Sequence, residues 1–278
     1  MKRGLHTIVC LKVVPKPEEV SIDPTSLTLD RSKARSEINP PDMNALEAAL
    51  KLKESHGGSV SILSMGPPFV ERYLRVALAM GADAAYLLSD RAFGGADTLA
   101  TSYTLAKAVE KIGSYDLILC GEESSDGATA QVPPGLAEWL GASQVTYATQ
   151  VAIQRRGWQL RASREIKGGY EVLSLPLPAV VSLKLGVNEP RFMDFDRLAA
   201  VEAQPTVLVW SLADLGADES MVGLKGSATI VTGVSEAKTG ERRREFLQGS
   251  PSERARRLVE CLSEYIGLPP TVTTSGGR

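Results

Sequence analysis

Cysteine and histidine are scarce in this chain. The three cysteines, Cys10, Cys120 and Cys261, stand far apart with no CxxC spacing, and two of them fall in apolar runs. No disulfide framework is expected, and a reducing compartment fits. The two histidines, His6 and His56, have no cysteine or paired carboxylate at ligand spacing, so a zinc or non-haem iron site lacks its donors. The same scarcity leaves no Ser/His/Asp set and no acid–base pair, so no catalytic residue is assigned and any redox chemistry belongs to a bound cofactor. Neither charge is in excess: 31 Lys and Arg face 33 Asp and Glu, a net −2 with the signs interspersed. That is not the basic field that nucleic acid requires. No apolar run approaches the ~20 residues of a membrane span. The opening MKRGLHTIVCLKVV runs into a strand rather than a signal peptide, so a soluble, cytoplasmic protein is expected. GxGxxG and GxxxxGK[ST] are both missing, which removes the common dehydrogenase and P-loop signatures.

What is present is enough apolar residue, 43 % of 278, for one sizeable core with an appendage. Short β-rich runs alternate with segments of helical period, the pattern of a parallel sheet covered on both faces. The fold class is therefore α/β, a doubly wound, Rossmann-like parallel sheet. Strands are predicted at Thr7 to Val14, Val60 to Ser64, Ala84 to Leu88 and Tyr115 to Cys120. VSID and LTLD form a small hairpin excursion after the first. A helix starts at Asn39 with prolines 40 and 41 in its first turn, buries Met43, Leu46 and Leu50, and ends at Gly57. A second buries Val70, Leu74, Ala77 and Leu78 and stops at Gly81. A third begins at Asp97 or Thr98 with Leu99, Tyr103, Ala106 and Val109 as its stripe. A fourth carries Val132, Leu136, Trp139 and Leu140, with Pro133 and Pro134 blurring its first turn. From Gln144 to Leu185 the period turns to alternation, which adds antiparallel strands. The domain expected is residues 1–186, followed by a C-terminal arm over 187–278 that is irregular until a helix from Ser252 to Ile266, with TVTTSGGR as a disordered tail.

In such a sheet the ligand crevice lies beyond the carboxyl ends of the strands. Three loops converge there: Cys10-Leu11-Lys12, Ser64-Met65-Gly66, and Gly121 to Val132. Ser124, Ser125, Gly127, Thr129 and Ala130 are small, so backbone amides can approach a phosphate at a helix N-terminus, and Asp126 suits a ribose hydroxyl or a turn. Plain helix capping fits the same residues. Lys12 either neutralises a phosphate or reaches water past a buried stem.

The segments IVCLKVVP, INPPDMNALEAALKLKE, SILSMGPP, LRVALAMGADAAYLLSD, DLILCGEESSDGATAQV, REIKGGYEV, LPAVVSLKLGVNEPR and VGLKGSATI resemble, in order and spacing, the electron transfer flavoprotein β subunit. The resemblance runs from about Thr7 to Thr229. It implies an adenine nucleotide alpha hydrolase-like fold with added strands and a C-terminal arm embracing an FAD-bearing α subunit. It implies AMP in the crevice or, in members resembling the electron-bifurcating group, a second FAD that takes electrons from NADH. AFGGADTLATSYTLA and DGATAQV resemble the bifurcating pattern, so FAD is the expected cofactor and AMP the alternative. By resemblance Cys10, Asn39, Ser64, Met65, Asp126, Gly127, Thr129, Ala130, Gln131 and Val132 line the adenosine and pyrophosphate site, with Phe93, Asp97 and Thr98 nearer the isoalloxazine. For Asn39 the helix cap is the first reading, and for Phe93 loop packing is the plain alternative. The stretch Arg191 to Ala203 resembles the loop that docks a dehydrogenase or other redox partner, with Arg191, Phe192, Phe195 and Leu198 as its contacts. Ala128 and Pro133 depart from the family's acidic residue and glycine, and LAAVEAQ replaces its basic run, which points to a different dehydrogenase. A free-standing nucleotide-binding regulator of the universal-stress type shares the sheet and the small-residue loop, and is the reading from another class.

Overall fold

Strand β1 (Leu5–Cys10) lies near the middle of a nine-stranded sheet in the computed structural model, which describes residues 4–16, 21–23, 28–30, 35–154, 158–203, 207–232 and 246–266. The other strands of that sheet are β6 (Gly58–Met65), β7 (Ala84–Leu88), β8 (Leu117–Gly121), β9 (Ser143–Gln154), β10 (Gln159–Ile166), β11 (Gly169–Pro176), β12 (Ala179–Leu183) and β13 (Val207–Trp210). Their order is β11-β10-β9-β12-β8-β1-β6-β7-β13. Pairing is parallel from β9 through β13 and antiparallel along β9, β10 and β11. The doubly wound α/β class with added antiparallel strands is borne out.

Two apolar layers cover the sheet. Helices α1 (Pro40–His56) and α2 (Glu71–Met80) pack Leu46, Leu50, Leu74 and Ala77 against Leu5, Val9, Ile62 and Leu87 on one face. Helices α3 (Thr98–Ile112) and α4 (Val132–Leu140) pack Tyr103, Val109 and Leu136 against Ile8, Leu63, Leu88 and Ile118 on the other. The central strands β1, β6, β8 and β12 are buried on both faces, which is why they read as continuous apolar runs, whereas β9, β10 and β11 alternate buried and exposed positions. β1 sits between β6 and β8, and the crossovers from β1 and from β8 leave on opposite faces. The topological switch point is therefore between the carboxyl ends of β1 and β8.

Several boundaries differ from expectation. The first strand does not run to Val14. It stops at Cys10, and β2 (Val13–Pro15) pairs instead with β5 (Ser36–Ile38), because the Lys12 amide leaves the sheet for the Asp42 carboxylate at 2.8 Å. β3 (Ser21–Asp23) and β4 (Thr28–Asp30) form the expected hairpin. Tyr115 precedes β8 rather than opening it. Leu99 is 42 % exposed and lies off the buried stripe of α3, and Trp139 on α4 is 39 % exposed, its ring edge-on to Tyr103. In β9 the register slips near Tyr147, whose φ of 57° and amide bond to Ser182 Oγ mark a bulge.

Residues beyond Gly186 are more regular than an arm. α5 (Phe195–Glu202) is capped by Asp194, and β13 extends the sheet past β7. Short helices α6 (Leu212–Leu215) and α7 (Gly223–Gly226) follow. Contacts divide the chain into Met1–Val234 and Ser235–Arg278, so residues 187–234 share the first unit. The second unit contains α8 (Pro251–Ile266), whose exposed Leu258, Val259 and Leu262 lie on one stripe. The tail from Thr271 lies outside the described residues. Among the described residues no helix is long and apolar enough to cross a membrane.

Candidate functional site

The crevice at the switch point is built by the first turn of α1 and the loop between β8 and α4. Prolines at the first two positions of α1 fix the entry of the helix, and the side chains of its first turn are free to reach outward. Asn39, 1 % exposed, starts the helix without capping it by its side chain. Its Nδ2 donates to Glu123 O at 2.9 Å and its Oδ1 accepts from Ser125 N at 3.1 Å. The capping role expected for Asn39 is thus replaced by a bracket around the β8–α4 loop. Asp42, 5 % exposed, accepts from Lys12 N at 2.8 Å and Gly121 N at 2.9 Å, joining the ends of β1 and β8. Burial pushes its carboxyl up to about 7, outweighing the amide hydrogen bonds that favour the anion. Gly121 is required here, because a Cβ would sit 2.4 Å from Asp42 Oδ1 and 2.8 Å from Pro41 Cβ.

The loop from Ser124 to Val132 has the geometry of an anion cradle. Ala128 and Ala130 hold left-handed backbone, φ 47° and 54°, and Gln131 returns to the right-handed region at φ −93°. Such alternation turns successive amides toward one concavity. Among the described residues the amides of Gly127 and Ala128 are bonded to Ser124 O, whereas those of Thr129, Ala130, Gln131 and Val132 donate to no protein group. They stand at the N-terminus of α4, where Pro133 and Pro134 bring no donor of their own. Lys12 Nζ reaches across the crevice to Asp126 Oδ1 at 2.6 Å and Ser124 Oγ at 3.3 Å. Ser64 Oγ, at the end of β6, is buried with no hydrogen-bond partner. A buried hydroxyl left so is suited to a bound polar group. Cys10 and the buried Cys120 meet at the ends of β1 and β8, where a hydrogen bond to Cys10, then burial, raises the Cys120 thiol.

The structure places Cys10, Asn39, Asp126, Gly127, Thr129, Ala130, Gln131 and Val132 around the carboxyl ends of β1 and β8, while Ser64 and Met65 end the neighbouring strand β6. Thr98 joins them through Oγ1, 3.0 Å from Gln131 Oε1, which ties the N-termini of α3 and α4 together. Phe93 is different: it is 5 % exposed within the α3–α4 core layer. Asp97 caps α3 through the amides of Leu99 and Ala100, and accepts from Thr229 N at 2.9 Å and Thr229 Oγ1 at 3.0 Å. Burial opposes its charge, yet these bonds hold its pKa below the usual range. Asp42 is the site residue that the sequence does not reveal, and Gly121, expected only as the start of a converging loop, is its partner. An acid in the first turn of a helix reads as a partner of the helix dipole.

Beyond its first turn, α1 anchors the NEPR segment. Arg191 donates to Glu47 Oε2 through Nε at 2.9 Å and through its amide at 3.1 Å, and also pairs with Glu54. Hydrogen bonds to both carboxylates raise the guanidinium pKa further, and those bonds win over burial to lower that of Glu47. Phe192 is 95 % and Phe195 73 % exposed, Leu198 is half-buried, and Met193 packs on the core. An inward packing of Phe192 and Phe195 is thereby excluded.

Residues 26–215 match the electron transfer flavoprotein domain. The chain is 43 % identical over 259 residues to electron transfer flavoprotein subunit beta of Thermoanaerobacterium thermosaccharolyticum, across 93 % of this chain and 98 % of that protein. It is 44 % identical over 234 residues to protein FixA of Azorhizobium caulinodans, covering 82 % and 83 %. To subunit CarD of the caffeyl-CoA reductase–Etf complex of Acetobacterium woodii it is 42 % identical over 228 residues, covering 82 % and 86 %.

Proposed function

The chain belongs to the electron transfer flavoprotein β-subunit family, and on that footing we propose that it binds FAD in its own crevice. In the cytoplasm, paired with an α subunit, it passes electrons from NADH or a dehydrogenase to acceptors, with bifurcation as the form of that transfer. The observation that carries this reading is the row of four undonated amides, Thr129 to Val132, at the N-terminus of α4. A diphosphate placed there accepts backbone hydrogen bonds and meets the positive end of the helix. Lys12 supplies a nearby cation, Asp126 a ribose acceptor, and Ser64 Oγ a buried polar contact. The flavin supplies the electron-transfer chemistry. The protein's part is to bind it, orient it and present a docking face. Exposed Phe192 and Phe195 fit that face, whereas Arg191 is committed to holding the loop in place.

A second reading places AMP in the same amides and leaves this chain as a scaffold and docking subunit. Burial of Phe93 favours it, since no aromatic from the 91–95 loop is then free to stack on an isoalloxazine. Replacing Asp126 by alanine separates binding from folding. FAD affinity should fall about tenfold, the worth of one charged hydrogen bond, with the melting temperature of the ligand-free chain little changed. Undiminished flavin content would remove Asp126 from the site.

A further inference from the structure

Four polar side chains from the N-cap to the middle of α1 are almost fully buried, and each reaches a different stretch of chain. Asn39, Asp42, Asn44 and Glu47 are 1 %, 5 %, 3 % and 2 % exposed. Asn39 brackets Glu123 and Ser125, and Asp42 joins the amides of Lys12 and Gly121. Asn44 Oδ1 accepts from Gly186 N at 3.0 Å, and its Nδ2 donates to Asn188 O at 2.7 Å. Asn188 Nδ2 donates back to Asn44 O at 3.0 Å. Glu47 accepts from the Arg191 amide and guanidinium. From Asn39 to Glu47 is about 12 Å along the helix, at 1.5 Å per residue. One short rigid segment therefore grips the anion cradle at one end and the base of the exposed Phe192–Phe195 loop at the other.

We propose that α1 is a shared template: Asp42, Asn44 and Glu47 are positioning residues that couple the order of the crevice loop to the order of the docking loop, so that filling the crevice steadies residues 186–195. Leaving any of these groups unpaired in the interior forfeits its hydrogen bonds without returning it to water, which is costly. Shifting either loop therefore shifts the helix turn that the other loop depends on. Coupling of this kind is reciprocal. The identity of the ligand rests on the proposed function, but the link between the loops is a property of α1 and is tested without a ligand.

Hydrogen exchange on the full-length chain reads both ends. In the ligand-free protein, Glu47→Gln should speed exchange at the Arg191 and Gly186 amides and, about fivefold, at Ser125 and Gly121, the low end of ordinary coupling energies. Asp42→Asn should do the converse. Arg191→Lys, which keeps the charge and breaks the forked contact, is the milder variant should either buried change impair folding. Protected amides in β1 and β8 verify that each variant is folded. Adding FAD to the wild type should slow exchange at Gly186 and Arg191 as well as in residues 124–132, and Glu47→Gln should abolish only the distant effect. Variants that each loosen their own loop and leave the other unchanged would overturn the coupling. FAD that fails to protect residues 124–132 would instead overturn the ligand assignment, with the variants still deciding the coupling.

Discussion

Asp42 concentrates the physical chemistry of the site in one group. Its carboxyl is shifted from the ordinary 3.8 to about 7 by burial, so the folded state prefers it protonated. The stability it contributes is whole below its unfolded pKa and is lost as pH rises through the folded value. Urea unfolding across about pH 4–7 should therefore show stability falling as pH rises, and Asp42→Asn should flatten that dependence. Equal slopes in the two proteins would contradict the account. At Gly121 the added methyl of Gly121→Ala meets Asp42 and Pro41, and a loss of about 1–3 kcal/mol is expected in the same experiment. Side chains that act locally were legible in the sequence: Asp97 does cap α3, and Gly81 and Gly141 do end their helices. Those whose partners lie far along the chain were not. Asn39 reads as a cap because nothing nearby reveals that Glu123 and Ser125, more than eighty residues on, claim its amide. The small residues of this loop point to amides that can approach a phosphate, but not to which of them stay undonated, Thr129 to Val132. Their alternating backbone is fixed by the three-dimensional loop.

Among the elements, the first four parallel strands and the helices that cover them are legible in the sequence, with ends displaced by up to four residues. Strands buried on both faces and helices with one apolar stripe carry strong periodic signals. β13 was missed as a strand because VLVW is short and joins the edge of the sheet with Leu208 and Val209 half exposed, so no alternation marks it. α5 escapes a sequence reading because it spans only eight residues and buries none of them fully. The 3-10 turn Arg91–Phe93 and α7 are held together at Gly223, where φ is 55° and a Cβ would lie 1.9 Å from Ala92 O. Gly223→Ala should cost on the order of 3 kcal/mol, from left-handed backbone and overpacking together, and thermal melts will show whether it does. α5 opens with an aromatic exposed to solvent. If Phe195 is a docking anchor, Phe195→Ala should raise the KM for the redox partner at least tenfold with flavin content unchanged. An unchanged KM would remove it from the interface.

At the scale of the molecule, a doubly wound sheet places its loops around the switch point between β1 and β8, and a single helix links that crevice to an exposed aromatic loop. A carrier subunit needs both features: a place to hold a nucleotide and a face to present to another protein. The family is clear from the length of the chain that matches it. The central claim is finer, that the nucleotide in this crevice is FAD. Flavin and AMP should be extracted from the native complex, with the α subunit co-expressed, and quantified against protein. The account predicts two FAD and no AMP per heterodimer; one FAD with one AMP would contradict it and leave this chain a scaffold.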